Sequence, residues 1–190
     1  MNPVLLFPVR QARFLLLLLI ILTGVSLLSA PVAVAVSPVL LDKASSSELS
    51  GHLEQLVDPA GKLALPDILT PAVSASFKPP EGSLGRGYSS DVVWLRFTLI
   101  RREGFPENSF LRLLPPNIDH VVVYVQSGDS SLQSSSYYEI PLGAHIPFVQ
   151  RLVRNLDLVA PLFLPLERPV QVYMRIQTDS VTDLSVAIHT

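Results

Sequence analysis

From Phe77 onward, short apolar runs alternate with clusters of turn-forming residues. The runs cover 92–100, 109–114, 119–126, 137–141, 158–165, 169–177 and 183–189, and KPPEGSLGRG, REGFPENS, LPPN and SGDSS lie among the breaks. Runs of this length bounded by Pro, Gly, Asn and Ser read as β-strands, and their regular recurrence predicts an all-β domain, an antiparallel β-sandwich or jelly roll. A helical alternative needs a stripe of period 3.6, and after position 70 only 149–160 is even weakly compatible. The serine-rich QSGDSSLQSSS at 126–136 reads as a hairpin loop.

Successive strand side chains point to opposite faces, so each run can be split in two. In VVWLRFTL, Val93, Leu95, Phe97 and Leu99 form one set, and Trp94, Arg96 and Thr98 the other. In VQVYMRIQ, Val170, Val172, Met174 and Ile176 oppose Gln171, Tyr173, Arg175 and Gln177; in HVVVYVQ, Val121, Val123 and Val125 oppose His120, Val122, Tyr124 and Gln126. The first sets predict the core. The second sets, placed in one sheet, give a tract of Trp94, Arg96, Tyr124, Tyr173 and Arg175 on a single face. Aromatic planes take the C–H face of a sugar, and guanidinium forks take hydroxyls or carboxylates, so this tract is a candidate ligand face. Equally, Arg96 and Arg175 can stack on neighbouring rings or pair with carboxylates such as Asp91 and Asp119, holding the sheet together. Arg151 and Arg154, in FVQRLVRN, are weaker candidates that add positive charge nearby or serve as solvated loop charge.

Upstream, HLEQLV at 52–57 fits either an extended or a helical segment. Asp58-Pro59-Ala60-Gly61 has the residue order of a type I turn, and LPDIL at 65–69 predicts one helical turn opened by its proline. Residues 36–50 read as a linker and 51–190 as the sandwich.

The N-terminus changes the picture of location. Arg10 and Arg13 precede FLLLLLIILTGVSLL, and small residues follow up to Ala35, so residues 1–35 predict a hydrophobic signal helix, either a cleaved signal peptide or a retained signal anchor. The remainder is expected outside the cytoplasmic membrane, in the periplasm or on the membrane's outer face. It contains no cysteine, so packing alone must stabilise it there. With 48% hydrophobic residues, 16% charged residues and a net charge of −2, the chain suits neither a disordered tail nor a nucleic-acid binder.

Catalytic chemistry is missing from the sequence. There is no thiol nucleophile, no glycine-rich phosphate loop and no G-x-S-x-G elbow. His52, His120, His145 and His189 lack the short spacings of a metal site. The chain is therefore expected not to be an enzyme and to need no cofactor or metal. A sugar-cleaving site would require two distant carboxylates brought together in space.

SGHLEQLVDPAGKLALPDIL, SFKPPEGSLGRGYSSDVVWLRFTL, IDHVVVYV, GAHIPFVQRLVRN and VQVYMRIQT follow one another in a family's order and spacing. Together they resemble the type 2 extracellular domain of bacterial seven-transmembrane receptors with diverse intracellular signalling modules. The most specific elements are Leu84-Gly85 followed by Trp94-Leu95-Arg96-Phe97. The resemblance implies a periplasmic jelly-roll sandwich similar to carbohydrate-binding domains, acting as a sensor for a small polar ligand such as a saccharide or organic anion. It also implies a membrane signalling partner such as a diguanylate cyclase or histidine kinase. The ligand face it implies is Trp94, Arg96, Tyr124, Tyr173 and Arg175, with Arg151 and Arg154. The alternative is a periplasmic protein-interaction or structural module. The sequence ends at Thr190, where the last strand is expected to finish. A receptor fragment, a stand-alone module and a sensor whose signalling half is another protein are all consistent with that.

Overall fold

A computed structural model describes residues 36–42, 47–82, 84, 89–127, 133–179 and 183–190. The expected signal helix over 1–35 lies outside them. Among these residues ten strands form two sheets: β1 (Val39–Leu41), β2 (Ser47–Glu48), β3 (Glu54–Asp58), β4 (Val92–Arg101), β5 (Asn108–Leu114), β6 (His120–Gln126), β7 (Tyr137–Leu142), β8 (Leu158–Phe163), β9 (Pro169–Gln177) and β10 (Ser185–His189). The first sheet runs β1-β4-β9-β6-β7, with β3 also on β4; the second runs β2-β10-β5-β8.

The two-residue period explains the packing. Leu95, Phe97 and Leu99 of β4, Val121, Val123 and Val125 of β6, and Val170, Val172, Met174 and Ile176 of β9 all enter the core between the sheets. Leu111 and Leu113 of β5, Leu158, Ala160 and Leu162 of β8, and Val186 and Ile188 of β10 meet them from the other side. Leu95, Leu99, Leu111 and Leu113 are fully buried, and each such side chain contributes roughly 1.5–3 kcal/mol by leaving water. The sandwich is thus the solution to seven alternating runs that each have one oily face.

Residues 36–50 differ from expectation. The described stretches 36–42 and 47–50 supply strands to the sandwich where a linker was expected: Val39 and Leu41 of β1 are buried in the core and β1 pairs parallel to β4. β2 pairs antiparallel with β10. Strands of three and two residues are too short to show a period, which is why the sequence hides them. Residues 54–58 take the extended option. The Asp58 carbonyl accepts the Gly61 N–H at 3.1 Å, and Gly61 sits at φ 63°, where glycine is favoured.

Two one-turn helices follow, α1 (Leu65–Ile68) and α2 (Pro71–Ser74). Each is opened by a proline, which has no N–H to leave unpaired. The Asp67 carboxylate also accepts the Ala64 N–H at 2.9 Å, fixing the start of α1. A bridge between Gln55 and Lys78 closes the segment back onto β3.

Candidate functional site

Strand register sets the outer face of the first sheet in rows. Glu54 of β3 opposes Arg96 of β4, Arg96 opposes Tyr173 of β9, Tyr173 opposes Tyr124 of β6, and Tyr124 opposes Glu139 of β7. In the next row Leu56, Trp94, Arg175 and Val122 lie side by side. The predicted tract is therefore assembled: Trp94, Arg96, Tyr124, Tyr173 and Arg175 share one face. Trp94 stacks on Tyr124 with centroids 5.7 Å apart, and Tyr173 meets Phe77 and Tyr137 edge-on.

The tract is not open. α1, α2 and Phe77 lie over it, and Leu65, Ile68, Phe77, Val92, Trp94, Tyr124, Tyr137 and Tyr173 form a second buried cluster. Trp94 has 0% exposure and Tyr173 3%. Burial accordingly pushes the Tyr137, Tyr173 and Tyr124 hydroxyls above the ordinary tyrosine range. The Trp94 Nε1 and Tyr137 Oη atoms are buried with no hydrogen-bond partner among the described residues.

The arginines are engaged inside the protein. Arg96 donates from Nε to Oε2 of Glu54 at 2.8 Å, and its Nη2 lies 2.7 Å from the same oxygen. Its Nη1 donates to the Ser74 hydroxyl at 2.7 Å and the Ser74 carbonyl at 3.2 Å, and its guanidinium carbon lies 4.4 Å from the Phe77 ring centre. Arg96 therefore ties the end of α2 to the sheet. Arg175 donates to the Gly61 carbonyl at 3.3 Å and to Gln177 at 3.4 Å. The expected open ligand surface is thus corrected. The residues converge as strand parity requires, but the α1–α2 segment turns their face into a third packed layer, and Glu54, not Asp91 or Asp119, takes Arg96.

Arg151 and Arg154 lie elsewhere, on the loop joining β7 to β8. Gly143 opens that loop at φ 138°, and a Cβ there would come within 2.2 Å of the Asp119 carbonyl oxygen. Beside it His145 stacks on His120, and its Nε2 lies 3.4 Å from Asp119. The loop borders the outer face of the second sheet, where its Val153, Asn155 and Asp157, with Phe110, Arg112, Val159, His189 and Thr190, line a cleft of about 320 Å³.

The cleft has an apolar floor and polar edges. Register places Phe110 between Pro161 and His189, and Arg112 between Val159 and Ala187. Arg112 donates from Nε to Asp157 at 2.8 Å while its side chain stays 37% exposed. Asp157 is itself positioned by its N–H, which donates to the Asn155 side-chain oxygen at 3.0 Å. Such a fork beside an aromatic ring can take a carboxylate or paired hydroxyls. The sequence carried a signal for it: Phe110 and Arg112 repeat the aromatic-then-arginine spacing of Trp94 with Arg96 and Tyr173 with Arg175.

Among the described residues, no group of three or more His, Asp or Glu side chains is arranged to hold a metal ion, and no helix is long and apolar enough to cross a membrane. The family model described as 7TMR-DISM extracellular 2 matches residues 50–190. No curated protein matches the chain.

Proposed function

Because this chain belongs to the 7TMR-DISM extracellular 2 family, we propose that it is the input domain of a membrane signalling receptor and takes a small polar ligand, a saccharide or an organic anion, into the cleft of the second sheet. The family is extracellular, so the domain lies on the outer side of the cytoplasmic membrane. The observation that carries the ligand reading is the cleft itself. It joins about 320 Å³ of concave space to Phe110, Arg112 and Asp157, and ligand sites combine an apolar lining with a few convergent polar groups. A signal then requires that the ligand bind two arrangements of domain and membrane partner unequally. A diguanylate cyclase or histidine kinase is the kind of partner that would read it.

A thermal-shift screen of saccharides and organic acids on the 190-residue chain tests the proposal. A ligand at 100 times its Kd stabilises the folded state by about 2.7 kcal/mol. The stabilisation should vanish in Arg112→Gln and fall in Phe110→Ala. A ligand whose shift survives both substitutions binds somewhere else, and the cleft is then not the site.

A second reading, a module that docks on the extracytoplasmic part of a partner, is favoured by the covered aromatic face. With Trp94 sealed and Arg96 neutralised by Glu54, the first sheet offers packing rather than a groove.

A further inference from the structure

Four of the eight exposed large hydrophobic residues among the described ones fall in the nine positions from 148 to 156: Phe148 at 47% exposure, Val149 at 72%, Leu152 at 67% and Leu156 at 82%. Large apolar side chains exposed this densely along one segment point to a contact surface. It lies on the loop that joins β7 to β8. Arg151 and Arg154 stand among the apolar residues, and no carboxylate occurs between Gly143 and Leu156. Asp157, the first acidic residue after them, is paired with Arg112.

The loop's backbone is closed on itself. Arg151 donates from Nε to the Ile146 carbonyl at 3.4 Å, and from Nη1 to the Asn155 carbonyl at 3.0 Å and the Leu156 carbonyl at 3.4 Å, cinching the neck. At the tip, Gln150 N–H donates to the Pro147 carbonyl at 2.8 Å, Arg151 N–H to Phe148 at 3.3 Å and Asn155 N–H to Val153 at 3.0 Å. A segment that leaves water gains by satisfying its peptide groups internally, and here the N–H groups of Gln150, Arg151 and Asn155 and the carbonyls that receive them and the Arg151 fork do so.

We propose that residues 148–156 form a membrane-contact loop, which lays Phe148, Val149, Leu152 and Leu156 into the boundary of an anionic bilayer while Arg154 meets the headgroup phosphates and Arg151, holding the neck, adds its positive charge beside it. Long arginine side chains reach headgroups while their stems stay among apolar groups. An extracellular domain of a seven-transmembrane receptor has a bilayer beside it, and the cationic loop complements an anionic lipid surface better than a like-charged or neutral one.

The test places a reporter in the loop of the 190-residue chain. Phe148→Trp adds a second tryptophan to Trp94, which is sealed beneath α1 and therefore shielded. The protein is mixed with vesicles of phosphatidylcholine alone or with phosphatidylglycerol, carrying brominated acyl chains. The emission added by position 148 should be quenched when phosphatidylglycerol is present and not in phosphatidylcholine alone. With Arg154→Gln added, the inserted-to-withdrawn ratio should fall about fivefold, the contribution of one cationic residue at an anionic surface. Leu156→Gln should lower it as well, with Trp94 emission confirming the fold in each variant. Three results overturn the proposal: no quenching by brominated chains while aqueous iodide still quenches, equal quenching in both vesicles, or a concentration-dependent dimer that Leu152→Gln abolishes and that accounts for the buried loop.

Discussion

Replacing Arg96 with methionine isolates what the guanidinium does, because methionine keeps much of the apolar stem and removes only the polar head. The structure gives the head two contacts with Glu54 Oε2, two with Ser74 and one with the Phe77 ring, so five interactions disappear together. Glu54, 14% exposed, is left as a nearly dehydrated carboxylate without its cation, and the end of α2 loses its tie. Breaking a fully buried pair from one side costs roughly 3–5 kcal/mol. Residual water access, with 17% and 14% exposure, places the expected loss near the lower end, about 3 kcal/mol. Trp94 is the chain's only tryptophan and lies under α1 and α2, so urea denaturation followed by its emission reports this layer directly. Glu54→Gln alone should cost about 1.5 kcal/mol, and the double variant should fall short of the summed losses by about 1.5 kcal/mol, the coupling between the two side chains. A loss below about 1 kcal/mol for Arg96→Met, with no coupling to Glu54, would show that apolar packing alone holds α1 and α2 on the sheet.

Two further outcomes follow from local geometry. Gly143→Ala forces a Cβ against the Asp119 carbonyl at a φ of 138°, so urea unfolding should show a loss of at least about 3 kcal/mol; a near wild-type midpoint would mean the β7 end shifts freely. The Asp119 carboxyl is held below its ordinary value of 3.8 by the hydrogen bond from the Thr178 hydroxyl, then by the Asp179 N–H and the nearby histidines. A depressed folded-state value means the stabilisation is full above pH 3.8 and is lost as pH falls through the lower folded value. Acid unfolding of Asp119→Asn should therefore show a shallower decline in that range, and parallel curves would contradict it.

The parity of β4, β6 and β9 could be read from the sequence because a buried sheet sorts side chains with a strict period of two. Leu95, Val123 and Met174 went inward and Trp94, Tyr124 and Arg175 outward for that reason alone. What covers the outward set could not be read in the same way. Leu65, Ile68, Val73 and Phe77 sit on two four-residue helices and a bend, too short for any periodicity to show which sheet, or which face of it, they cover. The partnership of Glu54 with Arg96 likewise depends on β3 lying beside β4 in a particular register, and the separation of 42 residues gives no hint of it. The third aromatic-arginine pair, Phe110 with Arg112, was legible as a pattern, but its cleft is created by a loop that rejoins the sheet 45 residues later.

The three pairs show how one local pattern acquires different uses. An arginine two residues from an aromatic shares that residue's strand face; what differs is whether the chain itself supplies the lid. On the first sheet the connection between β3 and β4 is long enough to fold back: it seals Trp94 and Tyr173 under α1 and Phe77, sets the Phe77 ring against Arg96, and offers the Gly61 carbonyl to Arg175. On the second sheet the covering segment comes from the β7–β8 loop, whose Asp157 engages Arg112 while its neck is held by Arg151. One carboxylate there does what Glu54, Ser74 and an apolar layer do on the other face. The single pairing leaves Arg112 more than a third exposed, compared with 17% for Arg96, so an incoming anion competes with Asp157 for Arg112 more readily than with Glu54 for Arg96.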